Sequence, residues 1–288
     1  VIATRPARRS CLSVPASSPR KLEKAVGLGA DEVVIDLEDA VAPAAKAQAR
    51  DAAVAALQGS QWGATTVSVR VNAPRSPWCH LDVMALASLP ASIVVPKVES
   101  AGDLAFMERL LDGVEAGAVR VQALIETAAG LARVGEIASA CQRLDALIVG
   151  YADLAASLGR ATADPGAWLP VQDAVLVAAR AHGLQAIDGP HLGVAVDEGF
   201  MAAATRARDL GFDGKWAIHP SQVGALNDLF TPGDEDVARA QAIVEALARA
   251  EREGGQGAVA LDGMMIDEAV RAAALRVLAR AGLEPTGS

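Results

Sequence analysis

The sequence predicts an α/β fold: a (β/α)8 TIM barrel followed by a C-terminal helix, hairpin and helix that form an arm or lid. Three observations predict it. Short apolar, β-rich runs alternate eight times with Ala-rich stretches of helical period. Polar or ionisable residues come after nearly every run, as they do at the carboxyl-end face of a barrel, where the loops converge on one mouth. The composition is 52% apolar with only 3% aromatic residues, and Ala, Val and Leu make up the difference, which suits helices packed on small-residue strands. A doubly wound open sheet is the runner-up, but no dinucleotide-type glycine fingerprint comes after the first strand, where that fold would carry it.

In order, the expected strands are Cys11–Val14, Glu32–Leu37, Val67–Val71, Ile93–Val95, Val119–Ile125, Ala146–Val149, Gln185–Ile187 and Trp216–Ile218. Each is bounded by turn or helix signals and is too short to be a helix. Helical patterns lie between them at Arg20–Leu28, Ala44–Leu57, Ala101–Leu111, Leu131–Cys141, Val171–His182 and Gly199–Leu210, several stopped by glycine (Gly29, Gly113, Gly183, Gly211) in the cap position. The barrel takes residues 10–230. Residues 231–288 continue as a helix opened by Thr231-Pro-Gly-Asp234 and running to about Glu253. A Gly-rich break at Gly254–Gly257 comes next, then two short strands about the Asp262-Gly263 turn and a helix from Glu268 to Ala281. The break does not come after a strand and lacks a Lys-Ser/Thr partner, so it reads as a flexible hinge and not a phosphate loop.

The net charge of −9, from 26 basic and 35 acidic residues, argues against a nucleic-acid binder that relies on a broad basic surface. An anionic ligand must then be held by local charge. Three scattered cysteines, Cys11, Cys79 and Cys141, have no metal-ligand spacing and read as reduced thiols of a cytoplasmic protein. The apolar run after the basic residues of Val1–Arg9 is too short for a signal peptide, and no stretch approaches the roughly twenty apolar residues that span a bilayer. The expectation is a soluble protein with no membrane partner.

The chemistry lies in the residues at the strand ends. After the second strand comes Asp36-Leu-Glu38-Asp39; at the third, Arg70-Val-Asn72; after the fourth, Pro96-Lys97; after the fifth, Glu126; after the sixth, Asp153; after the seventh, Asp188; after the eighth, His219-Pro220. Glu126 and Asp153 end successive strands, and parallel neighbours finish at the same face, so the two acids can converge on one point. Two hard oxygen ligands, with water completing the shell, are what Mg²⁺ prefers. The alternative is that both acids cap the next helices along the chain.

Seven segments in order make a resemblance: Val34-Ile-Asp-Leu-Glu-Asp-Ala-Val41, Val69-Arg-Val-Asn72, Val95-Pro-Lys97, Leu124-Ile-Glu-Thr127, Gly150-Tyr-Ala-Asp-Leu154, Ala217-Ile-His-Pro-Ser-Gln222 and Asp262-Gly-Met-Met-Ile-Asp267. The chain resembles the citrate lyase beta-subunit-like acyl-CoA lyases of the HpcH/HpaI aldolase superfamily over most of its length. The resemblance implies a Mg²⁺-dependent carbon–carbon lyase acting on a CoA thioester, with coenzyme A as part of the substrate and a small 2-keto acid as the other partner. Glu126 and Asp153 are then the metal ligands, and Arg70, Glu126 and Asn72 the substrate-binding residues. Arg70, Asp267 and Glu38 are the catalytic set, with Glu38 and Asp39 orienting Arg70 and the metal's waters. CoA falls to Arg20, Lys21, Pro96 and His219. The resemblance also implies a homotrimer or hexamer in which Asp267 reaches into a neighbour's site. Two departures, Ala129 where many relatives have Arg and Ala152 where they have an acid, lie beside the metal ligands without removing one.

These residues suit cleavage or formation of the C–C bond of a 3-hydroxyacyl-CoA of malyl-CoA or citramalyl-CoA type. Arg70 offers an always-ionised donor pair to carboxylate or keto oxygens, and Asp267 a carboxyl group that could move a proton at the thioester carbon or direct water to the thioester itself. Two other readings stay open: a metal-dependent aldolase on free keto acids, which would leave Arg20, Lys21 and Asp267 idle, and a non-catalytic barrel subunit of a larger lyase.

Overall fold

The computed structural model describes residues 6–89, 91–117, 119–161, 165–254 and 257–283. Eight parallel strands, β1 (Ser10–Pro15), β2 (Glu32–Asp36), β3 (Thr66–Arg70), β4 (Ser92–Val95), β5 (Val121–Ile125), β6 (Leu144–Val149), β7 (Gln185–Asp188) and β8 (Gly214–Ala217), pair in sequence order, and β8 returns to β1. The sheet is therefore a closed barrel, which settles the choice against an open doubly wound sheet. The helices of this part are α1 (Pro19–Ala25), α2 (Lys46–Gly59), α3 (Cys79–Leu86), α4 (Ala101–Gly113), α5 (Ala128–Ala132), α6 (Val134–Ala138), α7 (Tyr151–Leu158), α8 (Leu169–Ala181), α9 (Glu198–Leu210) and α10 (Ser221–Phe230). Beyond them lie α11 (Asp234–Gly254), the hairpin β9 (Ala258–Leu261) and β10 (Met264–Asp267), and α12 (Glu268–Arg280).

Strand alternation decides which side chains enter the barrel. Cys11, Val34, Val94, Leu124, Ala146, Ile148, Ile187 and Trp216 pack as one buried cluster inside it. Two residues on from Val34 is Asp36, and two on from Leu124 is Glu126, so the same period that fills the core aims both acids into the mouth. The amino-terminal end is plugged by Arg8, whose guanidinium donates to Glu32 (2.8 Å), to both oxygens of Asp145 (3.2 and 3.0 Å) and to Gln185. Gln122 donates to the other Glu32 oxygen at 2.6 Å. All of Arg8, Glu32, Gln122 and Asp145 are buried, and paired charges of this kind can be buried only because each has its partner. A Cβ on Gly214 would lie 1.7 Å from the Arg8 carbonyl oxygen, so only glycine lets β8 pass that close to the plug.

Three helices that the sequence pattern does not single out, α3, α7 and α10, are eight to ten residues long, and α7 and α10 start within a few residues of strand ends. The expected helix Leu131–Cys141 breaks at Arg133 (φ −118°, ψ 18°) into α5 and α6, with Gly130 and Gly135 weakening helix on either side. Gly113 is not a cap: α4 runs through it, and the left-handed residue is Glu115 (φ 56°).

The chain divides into two compact units, one of Arg8–Asp228 and one that takes in Leu229 onwards. The second has its own core, in which Ala240, Ile243, Val244 and Leu247 of α11 pack with Ile266 of β10 and Ala274 and Leu278 of α12. Its hairpin turns at Asp262 (φ 50°) and Gly263 (φ 77°), the two left-handed residues that a two-residue hairpin loop requires. Of the expected hinge Gly254–Gly257, Gly254 is the last residue of α11, and residues 255 and 256 lie outside the described residues, as do residues 1–5 of the basic amino-terminal stretch. Among the described residues no helix is long and apolar enough to cross a membrane.

Candidate active site

The residues that end β2, β3, β4, β5 and β6 meet at one mouth. Asp36, last in β2, faces Arg70, last in β3, across a direct register pair. Its two oxygens take the Nε and Nη2 donors of Arg70 at 2.8 and 2.7 Å. Nη1 of Arg70 donates to Asp39 at 3.0 Å and lies 3.6 Å from Glu38. The guanidinium sits 5.6 Å from the Trp216 ring centre, which gives it a cation–π floor. Three of its five N–H donors are thus spent on the protein, and the remaining two are those a substrate oxygen can take.

Glu126 comes directly after β5 and is 3% exposed. Its Oε1 accepts the backbone N–H of Lys97 at 2.9 Å, a donor presented because Lys97 adopts a left-handed backbone (φ 51°). Burial pushes the Glu126 carboxyl up to about 8, with Asp153 and Glu38 adding to the rise and Lys97 and Arg70 opposing it. A Cβ on Gly150 would lie 2.5 Å from Glu126 Cβ and 2.6 Å from its Oε2, so the glycine just after β6 makes the space Glu126 occupies. Asp153 lies in the first turn of α7, which starts directly after Gly150.

Lys97 joins the acids. Its Nζ lies 2.5 Å from Glu38 Oε1, 3.0 Å from Asp153 Oδ2 and 3.7 Å from Asp39 Oδ1. Burial alone would lower this ammonium, but its bond to Glu38 and its ion pair with Asp153 outweigh that and hold it above its ordinary value. Burial raises Glu38, whereas for Asp39 it is outweighed by Glu38, Arg70 and Lys97 and the group is lowered. Lys46, on α2, donates to the carbonyls of Leu37 and Glu38 at 2.8 and 2.7 Å and pins the loop that carries these acids.

Five carboxyl groups (Asp36, Glu38, Asp39, Glu126, Asp153) therefore share two cations, Arg70 and Lys97. Two buried oxygens, Glu38 Oε2 and Asp153 Oδ2, accept no hydrogen bond. The donor set is all oxygen, with an excess of negative charge and unsatisfied lone pairs, and it fits a hard divalent cation at Glu126 and Asp153. Among the described residues no group of three or more His, Cys, Asp and Glu has metal-site geometry.

Other expected residues stand apart from this cluster. Asn72 is buried and donates both its backbone N–H and its side-chain amide to Asp82 Oδ2 (2.9 and 2.6 Å), and Asp82 also holds Arg50. One amide N–H is thus engaged in securing α3, and the second N–H and Oδ1 are the groups through which the expected substrate contact would be made. Pro96 is buried too, and what its motif brings to the mouth is Lys97. Arg20 and Lys21 are exposed in the first turn of α1, and His219 is exposed with its Nδ1 2.8 Å from Ser221 Oγ. Asp188 lies on the opposite strand face from Ile187, outside the barrel interior, where it bonds Lys215 (2.5 Å) and Tyr151. Ala152 is exposed on α7 and Ala129 partly buried in α5. Asp267 belongs to the second unit: it is exposed, and its Oδ1 accepts the backbone N–H groups of Ala269 and Val270 (3.0 and 3.1 Å), capping α12. A surface cavity of about 780 Å³ lies at the opposite end of the barrel, lined by Trp62, Thr66, Ser92 and Val119 among others, and contains none of these residues.

Sequence reasoning names Lys97 and Asp36 among the strand-end residues but gives neither a role. The period-two pattern points to Asp36, and the signal for Lys97 is its place two residues past the end of β4.

A family model described as HpcH/HpaI aldolase/citrate lyase matches residues 9–220. The L-malyl-CoA/beta-methylmalyl-CoA lyase of Rhodobacter capsulatus is 39% identical over 293 residues, covering 91% of each chain. The (3S)-malyl-CoA thioesterase of Cereibacter sphaeroides is 38% identical over 275 residues, covering 95% of this chain and 94% of that one. Among solved structures, the protein CitE from Mycobacterium tuberculosis in complex with magnesium, acetoacetate and coenzyme A is 33% identical, with a TM-score of 0.76 over 98% of this chain and 100% of that one.

Proposed function

The chain belongs to the HpcH/HpaI aldolase/citrate lyase family, and on that premise we propose that it is a Mg²⁺-dependent carbon–carbon lyase that cleaves or forms a 3-hydroxyacyl-CoA thioester of malyl-CoA or citramalyl-CoA type. The products of cleavage are an acyl-CoA and a small 2-keto acid. The observation that carries this reading is the mouth itself: Glu126 and Asp153 brought together through Lys97, beside a guanidinium with two unspent donors.

Glu126 and Asp153 would hold Mg²⁺, which when bound supplies a Lewis acid that polarises a carbonyl or hydroxyl oxygen. Arg70, fixed by Asp36 and Asp39, turns its remaining N–H groups to the carboxylate or keto oxygens of the 2-keto acid portion. In cleavage the 3-hydroxyl gives its proton to solvent water, the C3–O bond becomes the keto C=O as the C2–C3 bond breaks, and the electron pair of that bond passes into the thioester enolate. A proton returned to C2 then gives the acyl-CoA. Asp267 is the proposed group for that proton, given to C2 in cleavage and taken from it in synthesis. Glu38 holds Lys97 and faces Arg70, and so keeps both cations in place. Exposed Arg20 and Lys21 would give the CoA phosphates local positive charge, and His219, also exposed and just after the last strand, joins them in this assignment.

The relative that is a malyl-CoA thioesterase supports a second activity, in which the same aspartate directs water to the thioester carbonyl. The thiols of Cys11, Cys79 and Cys141 are free, in keeping with a cytoplasmic enzyme. We assign it as a homotrimer or hexamer with shared sites. The test is a panel of malyl-CoA, β-methylmalyl-CoA and citramalyl-CoA with Mg²⁺ and with chelator, scored separately for glyoxylate or pyruvate and for free CoA. Keto acid released only with Mg²⁺ is expected; release of free CoA alone would make the thioesterase the main activity, and no turnover of any thioester would refute the proposal.

A further inference from the structure

We infer that Lys97 is a displaceable counter-ion: its ammonium fills the gap between Glu38 and Asp153 until a divalent cation takes its place, so that Lys97 positions the acids in the metal-free protein and competes with the metal. This rests on the reading of Glu126 and Asp153 as the cation site. Three observations carry it. The Asp153 oxygen that Lys97 approaches at 3.0 Å, Oδ2, accepts no hydrogen bond, so ion pairing there lacks the alignment that would make it strong. The Lys97 side chain is 34% exposed and that of Asp153 37%, so the ammonium has solvent to move into when a cation displaces it, although Asp153 Oδ2 itself is buried. Lys97 also contacts the cluster in two separable ways, since the hold on Glu126 comes from its backbone N–H and the hold on Glu38, Asp39 and Asp153 from its side chain.

These two separable contacts dictate the variants. Lys97→Met removes the charge and keeps the chain length. Lys97→Gly removes the side chain and favours the left-handed backbone (φ 51°) that presents the N–H to Glu126. Metal-free full-length protein is titrated with Mg²⁺ by calorimetry and with Mn²⁺ by electron paramagnetic resonance. Both variants are expected to bind about fivefold more tightly than wild type, the worth of one partly exposed ion pair, and to melt lower than wild type only in the absence of metal. A merely structural lysine would do the reverse, because disordered acids bind metal less well; equal or weaker binding by the variants overturns the inference. A second measurement needs no variant. In wild type, Mg²⁺ should raise the rate of reductive methylation of Lys97 several-fold relative to exposed Lys24, read by peptide mass spectrometry, and an unchanged or reduced rate overturns the inference even if a variant fails to fold. Wild type that binds neither ion removes the cation site itself, and with it the proposed function, an outcome distinct from the first two.

Discussion

Burial raises the Glu126 carboxyl to about 8 from an ordinary value near 4.5, and this sets the sign of the linked stability. Between those values the unfolded chain has lost this proton and the folded chain keeps it, so metal-free protein loses stability as pH rises from about 4.5 to about 8, and the penalty is complete above that. Glu126→Gln is neutral at every pH. In chelator, its melting temperature should gain on wild type as pH is raised from 5.5 to 8.5; a gap independent of pH would show that Glu126 ionises normally. Arg70→Lys retains the charge, but an ammonium cannot span Asp36 side-on while presenting donors to a substrate. Turnover should fall at least about tenfold, one charge-assisted hydrogen bond's worth, and unchanged kinetics would reduce Arg70 to an ion-pair partner of Asp36. Glu126, Asp153 and Arg70 are legible in the sequence because each ends or comes just after an apolar strand. Lys97 is legible as a strand-end residue but its part is not, because that depends on a left-handed backbone that no residue type near it announces, and the Asn72 pairing with Asp82 is hidden because Asp82 lies ten residues on in a helix the pattern does not show.

The eight strands are readable because each is a compact apolar run, and their observed ends differ from the expected ones by two residues or fewer. Short helices such as α3 and α7 are harder, since eight residues hold barely two turns and their apolar faces repeat too few times to show a period. The plug at the amino-terminal end is invisible for another reason: Arg8, Glu32 and Asp145 are distant in sequence, and only closure of the barrel brings them together. Arg8→Met should leave two carboxylates buried without their cation and cost about 3–5 kcal/mol. Differential scanning calorimetry would show a fall in melting temperature, while Mn²⁺ affinity at the opposite end is retained; a drop of less than about 2 °C would mean that water or relaxation replaces the arginine. At the start of α12, Asp267 accepts two backbone N–H groups, so Asp267→Ala confounds chemistry with a lost cap worth about 1 kcal/mol. Asn caps as well as Asp, and Asp267→Asn is therefore the substitution that isolates the carboxyl group.

Asp267 lies in a unit with its own core, and the barrel carries the proposed metal ligands and Arg70. The proposed reaction needs both. If each tail serves its own barrel, a subunit is self-sufficient; if each serves a neighbour, the oligomer is obligatory and every site is built from two chains. Mixing the inactive variants Asp267→Asn and Glu126→Gln under conditions of subunit exchange separates the two arrangements. In the shared arrangement, an Asp267→Asn barrel that receives the tail of a Glu126→Gln chain has every group intact. At equal mixing and random exchange about a quarter of the sites have that composition, so turnover should recover to about a quarter of wild type. In the self-contained arrangement each site carries one defect whatever its neighbours, and no mixture recovers. Native mass spectrometry reports whether exchange has occurred. Complete exchange without recovered turnover, between variants that are each folded and inactive alone, assigns Asp267 to its own barrel and leaves the oligomer without a part in the chemistry.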